Sequence, residues 1–343
     1  MNRFEWTSAR VVGAAARAGS VTVADAMLAQ GGQAGTNAVI LKAGGIDVLD
    51  LMKEGLLNPR RVVNLRNIPE LGQIVEESDG TLRVGSMVTL AQLAGHTLVR
   101  ARYSALAQAA GQSASPQIRE VATIGGNLLQ RPRCWYFRSL HHHCLRKGGE
   151  ACFAFVGENQ YHAVFGQNGC AIVHPSSVAT ALVAFNAKAE LVSPQGARRV
   201  VALESFFLTP DKDIRRENNL KPGEILTFVM LPQSKHGVHS SYLRQGEQDS
   251  FDWPIADVAV VVEMDSVGIC TQASVVLGAA APVPYRAKGT ESVLAGKRIS
   301  EGTARSAAKS AIAGAAPLSK NAYKLPVFEA LVRRTILSAV SGE

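Results

Sequence analysis

The chain has 343 residues, 47% hydrophobic and 19% charged, which is enough for two or three domains with sizeable cores. No apolar run reaches the ~18–20 residues of a bilayer span, and the N-terminus MNRFEW lacks the regions of a signal peptide, so the expectation is a soluble protein without membrane insertion. The formal charge of +8 is scattered rather than gathered with aromatics, which argues against nucleic acid and reads as a plain surface excess, with contact to an acidic partner subunit as the alternative.

The first third reads as alternating elements. Thr22–Gln30 is a short helix, and Ala38–Leu41 is a buried strand closed by Ala43, Gly44 and Gly45. A helix over Val48–Glu54 follows, with Asp47 placed to cap it. Arg61–Leu65, Gln73–Ser78 and Thr81–Val84 are strands, the last two joined by a turn at Asp79 and Gly80. Leu90–Ala94 and Arg100–Ala110 are helical, and a short helical piece, Asn127–Leu129, ends a Gly-, Ser- and Pro-rich stretch.

Arg131–Cys170 then breaks every pattern. It holds four of the five cysteines, spaced Cys134-x9-Cys144-x7-Cys152-x17-Cys170. A long structureless stretch inside a compact domain needs an ordering force, and metal–ligand bonds supply one. Structural zinc usually shows CxxC pairs, and disulfides suit small exported domains; a four-thiolate iron–sulfur cluster accepts wide spacing from loops. Zinc and disulfides remain the alternatives. His141, His142 and His143 read as a solvated loop, because consecutive side chains cannot converge. Trp135, Tyr136 and Phe137 read as packing that shields the sulfurs, and Arg131, Arg133, Arg138 and Arg146 as charges favouring an anionic cluster. Cys270, in an apolar run, reads as a buried small hydrophobe.

Regular structure resumes with a helix over His174–Phe185, Pro175 lying in its first turn. Lys188–Val192 and Arg199–Val201 are strands. Asp211–Pro222 is polar and reads as an inter-domain linker. Beyond it come strands at Glu224–Leu231, Val238–Arg244, Ala256–Met264 and Ala273–Gly278, then helices at Glu291–Leu294, Ser300–Ala315 and Tyr323–Ser341. Strands followed by helices predict a separate α+β domain. The boundaries expected are 1–222, with 131–173 as an insertion, and 223–343.

Two Gly-Gly loops stand out. Leu41–Val48 runs from a strand into a helix, the arrangement that offers free amides and a positive dipole end to phosphate. Thr123, Ile124, Gly125, Gly126 and Asn127 form a second such loop. Together they suggest a diphosphate held from two sides.

These loops also carry a resemblance. AGGIDVLDLMK resembles the AGGT(N/D)LLDLMK loop of FAD-binding subunits in the xanthine dehydrogenase family of molybdenum hydroxylases, ASPQIREVATIGGNLLQ is similar to that family's ASPQIRNVATIGGNL, and VVLGAAAPVPYRA resembles its C-terminal motif. The resemblance runs from Phe4 to the C-terminus. It implies an α+β architecture: a two-lobed FAD-binding domain of the PCMH type, then an α+β domain of the CO dehydrogenase flavoprotein type. FAD would be held by Leu41, Lys42, Ala43, Gly44, Gly45, Ile46, Asp47 and Val48, by Ser113 and Thr123–Asn127, and by Ser177, Leu226 and Arg244. Two departures stand in the motifs. Ser177 takes the place of the aspartate of HPSD, and Ile46 that of Thr or Gln.

The cysteine segment resembles the insertion in the flavin subunit of periplasmic aldehyde oxidoreductases, which implies a [4Fe–4S] cluster on Cys134, Cys144, Cys152 and Cys170. The implied role is electron transfer in a heterotrimer. A large subunit would carry the molybdenum cofactor, a small one two [2Fe–2S] clusters, and FAD would pass electrons to an external acceptor. The compartment would be cytoplasmic, or periplasmic if a partner carries the export signal. The competing readings are a self-sufficient flavin enzyme and a non-catalytic iron–sulfur scaffold or redox sensor that has lost FAD.

Overall fold

The computed structural model describes residues 1–28 and 37–341. Three sheets organise it. In the first, β1 (Glu5–Ser8), β2 (Val39–Lys42) and β3 (Arg61–Asn64) are parallel, in the order β1-β3-β2. Parallel strands need crossovers, and the helices Val23–Leu28 and Ile46–Lys53 lie in them. Ala29 and Gln30 of the first expected helix lie outside the described residues.

The second sheet has the order β4-β5-β8-β6-β7, built from β4 (Ile74–Glu76), β5 (Leu82–Gly85), β6 (Lys188–Val192), β7 (Arg198–Ala202) and β8 (Ile225–Leu231). The sequence boundary at Pro222 assigns Ile225–Leu231 to the second unit. The strand instead pairs antiparallel with both β5 and β6, at the centre of the first unit's sheet. Nor is Asp211–Pro222 a solvated linker: Glu217 is buried, and Arg216 pairs with Asp25 at 2.7 Å.

The third sheet is an antiparallel meander of β9 (Val238–Gln245), β10 (Ala256–Met264) and β11 (Ile269–Gly278), with the short β12 (Tyr285–Arg286) and β13 (Lys297–Arg298) paired to β11. The helices Glu301–Ala311 and Lys324–Ser341 bury Ala304, Ala307, Ala308, Phe328, Val332 and Ile336 in one core with Val258, Val260, Val262 and Val275 of this sheet. Cys270 is fully buried there, as expected of a small hydrophobe. Among the described residues no helix is long and apolar enough to cross a membrane.

The helix Ser177–Ala184 joins the two units, and all eight of its residues are buried. Its Val178 and Leu182 share one core with Val229 of β8, Ala259 of β10 and Val276 of β11. It begins at Ser177 rather than His174. Pro175 biases its neighbour away from helical backbone, and the Ser176 hydroxyl accepts the Ala179 amide as the cap at 2.9 Å. The helix expected over Arg100–Ala110 is likewise two helices, Thr97–Arg102 and Ser104–Gly111. They break at Tyr103, whose ring is buried edge-on to Phe185.

Candidate cofactor sites

A cleft of about 500 Å³ opens between the first two sheets and is rimmed by the β9–β10 loop. That volume lies in the range of small-molecule and cofactor sites. Both glycine loops line it, and they touch. A Cβ on Gly44 would lie 2.3 Å from the Val121 carbonyl oxygen and 3.2 Å from the Thr123 amide nitrogen. Only glycine permits that approach.

The first loop turns at Gly45, whose φ of 95° is left-handed. Gly45 thereby occupies the N-cap position, and the helix begins at Ile46, two residues before the expected start. The amides of Ile46, Asp47 and Val48 precede the first intrahelical bond, Leu49 N–H to the Gly45 carbonyl, and donate to no other group among the described residues. They are free for an anion. Asp47 is not the cap: its carboxylate accepts the Arg131 backbone amide at 2.8 Å and pairs with Arg133 at 3.0 Å and Arg138 at 2.5 Å. It therefore fastens the phosphate-type loop to the entrance of the cysteine segment.

The second loop works differently from expectation. Thr123 caps a helix over Ile124–Leu128, so both glycines lie inside its first turn. The amides of Ile124, Gly125 and Gly126 are already committed, to Val88 O, Ser86 O and Thr123 Oγ1. This loop gives smooth, close-approaching backbone, with the Thr123 amide nitrogen facing Gly44, while the helix-start amides come from the first loop.

Of the residues expected to hold FAD, Leu41, Ala43, Gly44, Gly45, Ile46, Asp47, Val48, Ser113, Thr123, Gly125, Gly126, Asn127, Ser177, Leu226 and Arg244 line the cleft. Lys42 and Ile124 do not. The Lys42 ammonium turns away to Asn64 Oδ1 at 3.3 Å and to the Trp6 ring, and Ile124 is fully buried in the core. Arg244 acts as a strut, donating to the carbonyls of Gln112 at 2.8 Å and Asp252 at 2.7 Å.

Sequence reasoning missed several participants. Phe251, Asp252, Trp253 and Pro254 line the cleft mouth, and the Arg133 guanidinium lies 4.7 Å from the Trp253 ring centroid. Glu217 lines it from the segment taken for a linker. Behind Ser177 stands the buried Asp257, whose carboxyl burial pushes up to about 6.

Cys134, Cys144, Cys152 and Cys170, drawn from 37 residues of chain, line one small enclosed pocket with Tyr136, Phe137, Phe153, His162 and Ile172. Among the described residues, no three His, Cys, Asp or Glu side chains close tightly enough to hold a single metal ion. The thiols are not alike. Cys170 is lowered to about 6, first by the hydrogen bond from Cys152, with burial opposing and Arg146 assisting. Burial pushes Cys134 up to about 12. His162 Nε2 lies 3.2 Å from Cys134 Sγ, and Arg146 Nε donates to Cys170 Sγ at 3.5 Å. Of the four arginines expected to favour an anionic centre, only Arg146 contacts a sulfur. Arg133 and Arg138 are spent on Asp47, Asp50 and Glu54, and Arg131 on Glu217.

Of the aromatics expected to shield the sulfurs, Tyr136 and Phe137 line the pocket, while Trp135 does not. Trp135 meets Tyr136 and His162 edge-on, and Phe137 is buried with Leu51, Met52 and Cys144 in the core of the first lobe. His141 and His143 are exposed. His142 instead joins the cluster, edge-on to Tyr136 at 5.1 Å and Phe153 at 5.3 Å.

Known proteins share this fold. The family described as FAD binding domain in molybdopterin dehydrogenase matches residues 11–234, and the CO dehydrogenase flavoprotein C-terminal domain matches 241–339. The first match carries β8 with the first unit, as the sheet pairing does. The aldehyde oxidoreductase FAD-binding subunit PaoB of Escherichia coli is 33% identical over 301 residues, covering 87% of this chain and 89% of that protein. The carbon monoxide dehydrogenase medium chain of Hydrogenophaga pseudoflava is 28% identical over 313 residues, covering 90% and 91%. A solved carbon monoxide dehydrogenase from Hydrogenophaga pseudoflava superposes with a TM-score of 0.72 at 26% identity, over 99% of this chain and 98% of that one. The cleft, its two glycine loops and these full-length matches agree: the chain belongs to the family of FAD-binding flavoprotein subunits of molybdenum hydroxylases, which are oxidoreductases.

Proposed function

We propose that this chain is the flavin subunit of a three-subunit aldehyde oxidoreductase and that it also holds a [4Fe–4S] cluster on Cys134, Cys144, Cys152 and Cys170. The partners are a large subunit with the molybdenum cofactor and a small one with two [2Fe–2S] clusters. The aldehyde reading leans on the most similar relatives reported above, one of which is named as an aldehyde oxidoreductase subunit. Bound FAD would supply the exchange of electrons between the partner subunits and an external acceptor.

The observation that carries the reading is the pairing of two cavities. The cleft offers the free amides of Ile46, Asp47 and Val48 beside backbone that only glycine allows. Next to it, four cysteines line one pocket walled by aromatics. Thiolates on a single zinc lie about 4 Å apart, given Zn–S bonds of ~2.3 Å. A four-iron cluster would take each thiolate on a different iron, and one pocket brings all four cysteines together.

The same donor set fits the cluster's charge. Arg146 and His162 each direct a ring or guanidinium nitrogen at a sulfur, and such contacts stabilise thiolate ligands. The loss of the usual aspartate at Ser177 does not favour a scaffold without FAD, because Asp257 puts a carboxylate directly behind the Ser177 hydroxyl.

The test is iron, sulfide and flavin quantification on the purified complex, wild type and Cys144→Ser. The variant is expected to lose one cluster's iron and keep its flavin. Unchanged iron would remove the ligand assignment.

A further inference from the structure

The cleft and the cysteine pocket are connected by charge. Glu217 sits between two arginines: its Oε2 is 3.2 Å from Arg131 Nε, and its Oε1 is 2.7 Å from Arg146 Nη1. Arg146 Nε reaches Cys170 Sγ at 3.5 Å. Arg131 and Glu217 line the cleft, while Arg146 and Cys170 line the pocket. Three ionised side chains and one thiol therefore span from one cavity to the other. The side chains of Arg131, Glu217 and Arg146 are 3%, 4% and 1% exposed.

Stability does not account for this group. A buried ion pair loses in desolvation about what it gains in attraction, and an apolar replacement is often neutral or better. Here two cations share one carboxylate, and Arg146 also faces the Cys170 sulfur. The adjoining Arg133 and Arg138 pair with Asp47, Asp50 and Glu54 instead. Among the described residues, Arg131 Nη1 and Arg146 Nη2 are buried without a hydrogen-bond partner. One such donor belongs to a residue lining each cavity. Buried donors are costly to leave unmet, so each implies an electron-rich acceptor on its own side.

We propose that Arg131, Glu217 and Arg146 form a buried charge bridge that couples the electron affinities of the two cavities, with Arg146 acting on the sulfur centre through Cys170. The proposal rests on the [4Fe–4S] reading above. Arg146 and Glu217 are positioning residues: neither is a ligand, and each acts through a neighbour. A cation beside a sulfur ligand stabilises the electron-rich state and raises the reduction potential. Glu217 opposes that effect: it lines the cleft directly and acts on the pocket through its ion pair with Arg146. Burial leaves these interactions little screened by salt.

The experiment uses the intact multi-subunit complex carrying Glu217→Gln or Arg146→Gln. Iron, sulfide and flavin are counted first. The potentials of the cysteine-held centre and of the flavin are then measured, by electron paramagnetic resonance and by visible absorbance under controlled potential. Glu217→Gln is expected to raise both potentials. Arg146→Gln is expected to lower that of the sulfur centre and to move the flavin less. Each principal shift should reach about tenfold in the one-electron equilibrium, about 59 mV.

An iron-loaded Glu217→Gln complex with both potentials at wild-type values overturns the bridge. Wild-type complex with no iron beyond that of its partner subunits sinks the cluster reading instead, so the two failures are distinguishable. Should a single variant not assemble, Arg146→Met combined with Glu217→Met removes the pair without stranding a charge. That variant should lower the sulfur-centre potential, because the nearer, hydrogen-bonded charge is the cation. No change there overturns the bridge equally.

Discussion

The hydroxyl of Ser177 donates to Oδ2 of Asp257 at 3.4 Å, across the seam between the two units. This chain has a serine at the helix start and a buried carboxylate one layer behind it. Burial raises the Asp257 carboxyl from 3.8 to about 6, against hydrogen bonds from Thr180 and Ser177 that lower it. The sign follows from proton counting. Between about pH 4 and 6 the folded chain keeps a proton that the unfolded chain has released, so stability falls as pH rises through that window. The full cost is present above about pH 6. Asp257→Asn should therefore match wild type near pH 4 and exceed it at pH 7. About two pKa units is worth roughly 3 kcal/mol, and weakened hydrogen bonds return about 1 kcal/mol of it. Urea midpoints at pH 4.5 and pH 7 check this; a gap that does not grow with pH contradicts it.

Gly44 is the position where the two loops meet. A methyl group there would lie 2.3 Å from Val121 O, an unyielding backbone atom. Gly44→Ala should destabilise by about 1–3 kcal/mol. It should also weaken flavin binding about tenfold or more, since that requires only ~1.4 kcal/mol. Gly72→Ala is the control, because a Cβ there meets nothing within 4 Å. Flavin retained after gel filtration, compared between the two variants, reads the effect; equal retention would count against the loop contact.

Lys324 opens the C-terminal helix and is fully buried. Its ammonium donates to Ala279 O at 2.6 Å and to His162 O at 3.1 Å, while the His162 ring lies against Cys134 Sγ. The second unit thereby holds a residue that touches the cysteine pocket. Lys324→Met keeps the volume and removes the donors. Burial lowers the Lys324 amine to about 7, so the cost is that of leaving buried carbonyl acceptors unpaired, about 1–3 kcal/mol. Iron should then be lost faster on dilution. Thermal denaturation with parallel iron release measures both, and wild-type iron retention in a destabilised variant would separate the two roles.

Trp253 stands half-exposed at the cleft mouth with Arg133 stacked on it. A cation–π contact of this exposure is worth about 0.5–1 kcal/mol. Trp253→Ala should reduce flavin affinity two- to fivefold and make bound flavin easier to quench with iodide. Unaltered quenching would mean that the β9–β10 loop does not cover the flavin.

Much of this was legible locally. The Gly44–Gly45 and Gly125–Gly126 pairs announce close backbone approach because only glycine tolerates it, and four cysteines inside a pattern-free stretch announce a shared site. Helix starts were read less well. The expected cap at Asp47 is Gly45, since a left-handed turn ends the strand before any side chain can cap, and the Asp47 carboxylate is then drawn to three arginine-segment donors far along the chain. The strand Ile225–Leu231 was assigned to the wrong unit, because its periodicity shows that it is a strand but not which neighbours it pairs with.

The sequence by itself determined the two glycine loops, the set of four cysteines and the family, all of which rest on residue types at short spacing. Only the tertiary structure decided that the second loop's glycine amides are already committed, that Asp257 backs Ser177 from 80 residues away, and that Glu217 links the cleft to the cysteine pocket through Arg146. The physical reason is burial. A carboxylate's role depends on which charges and donors share its low-dielectric surroundings, and those come from segments that only folding brings together.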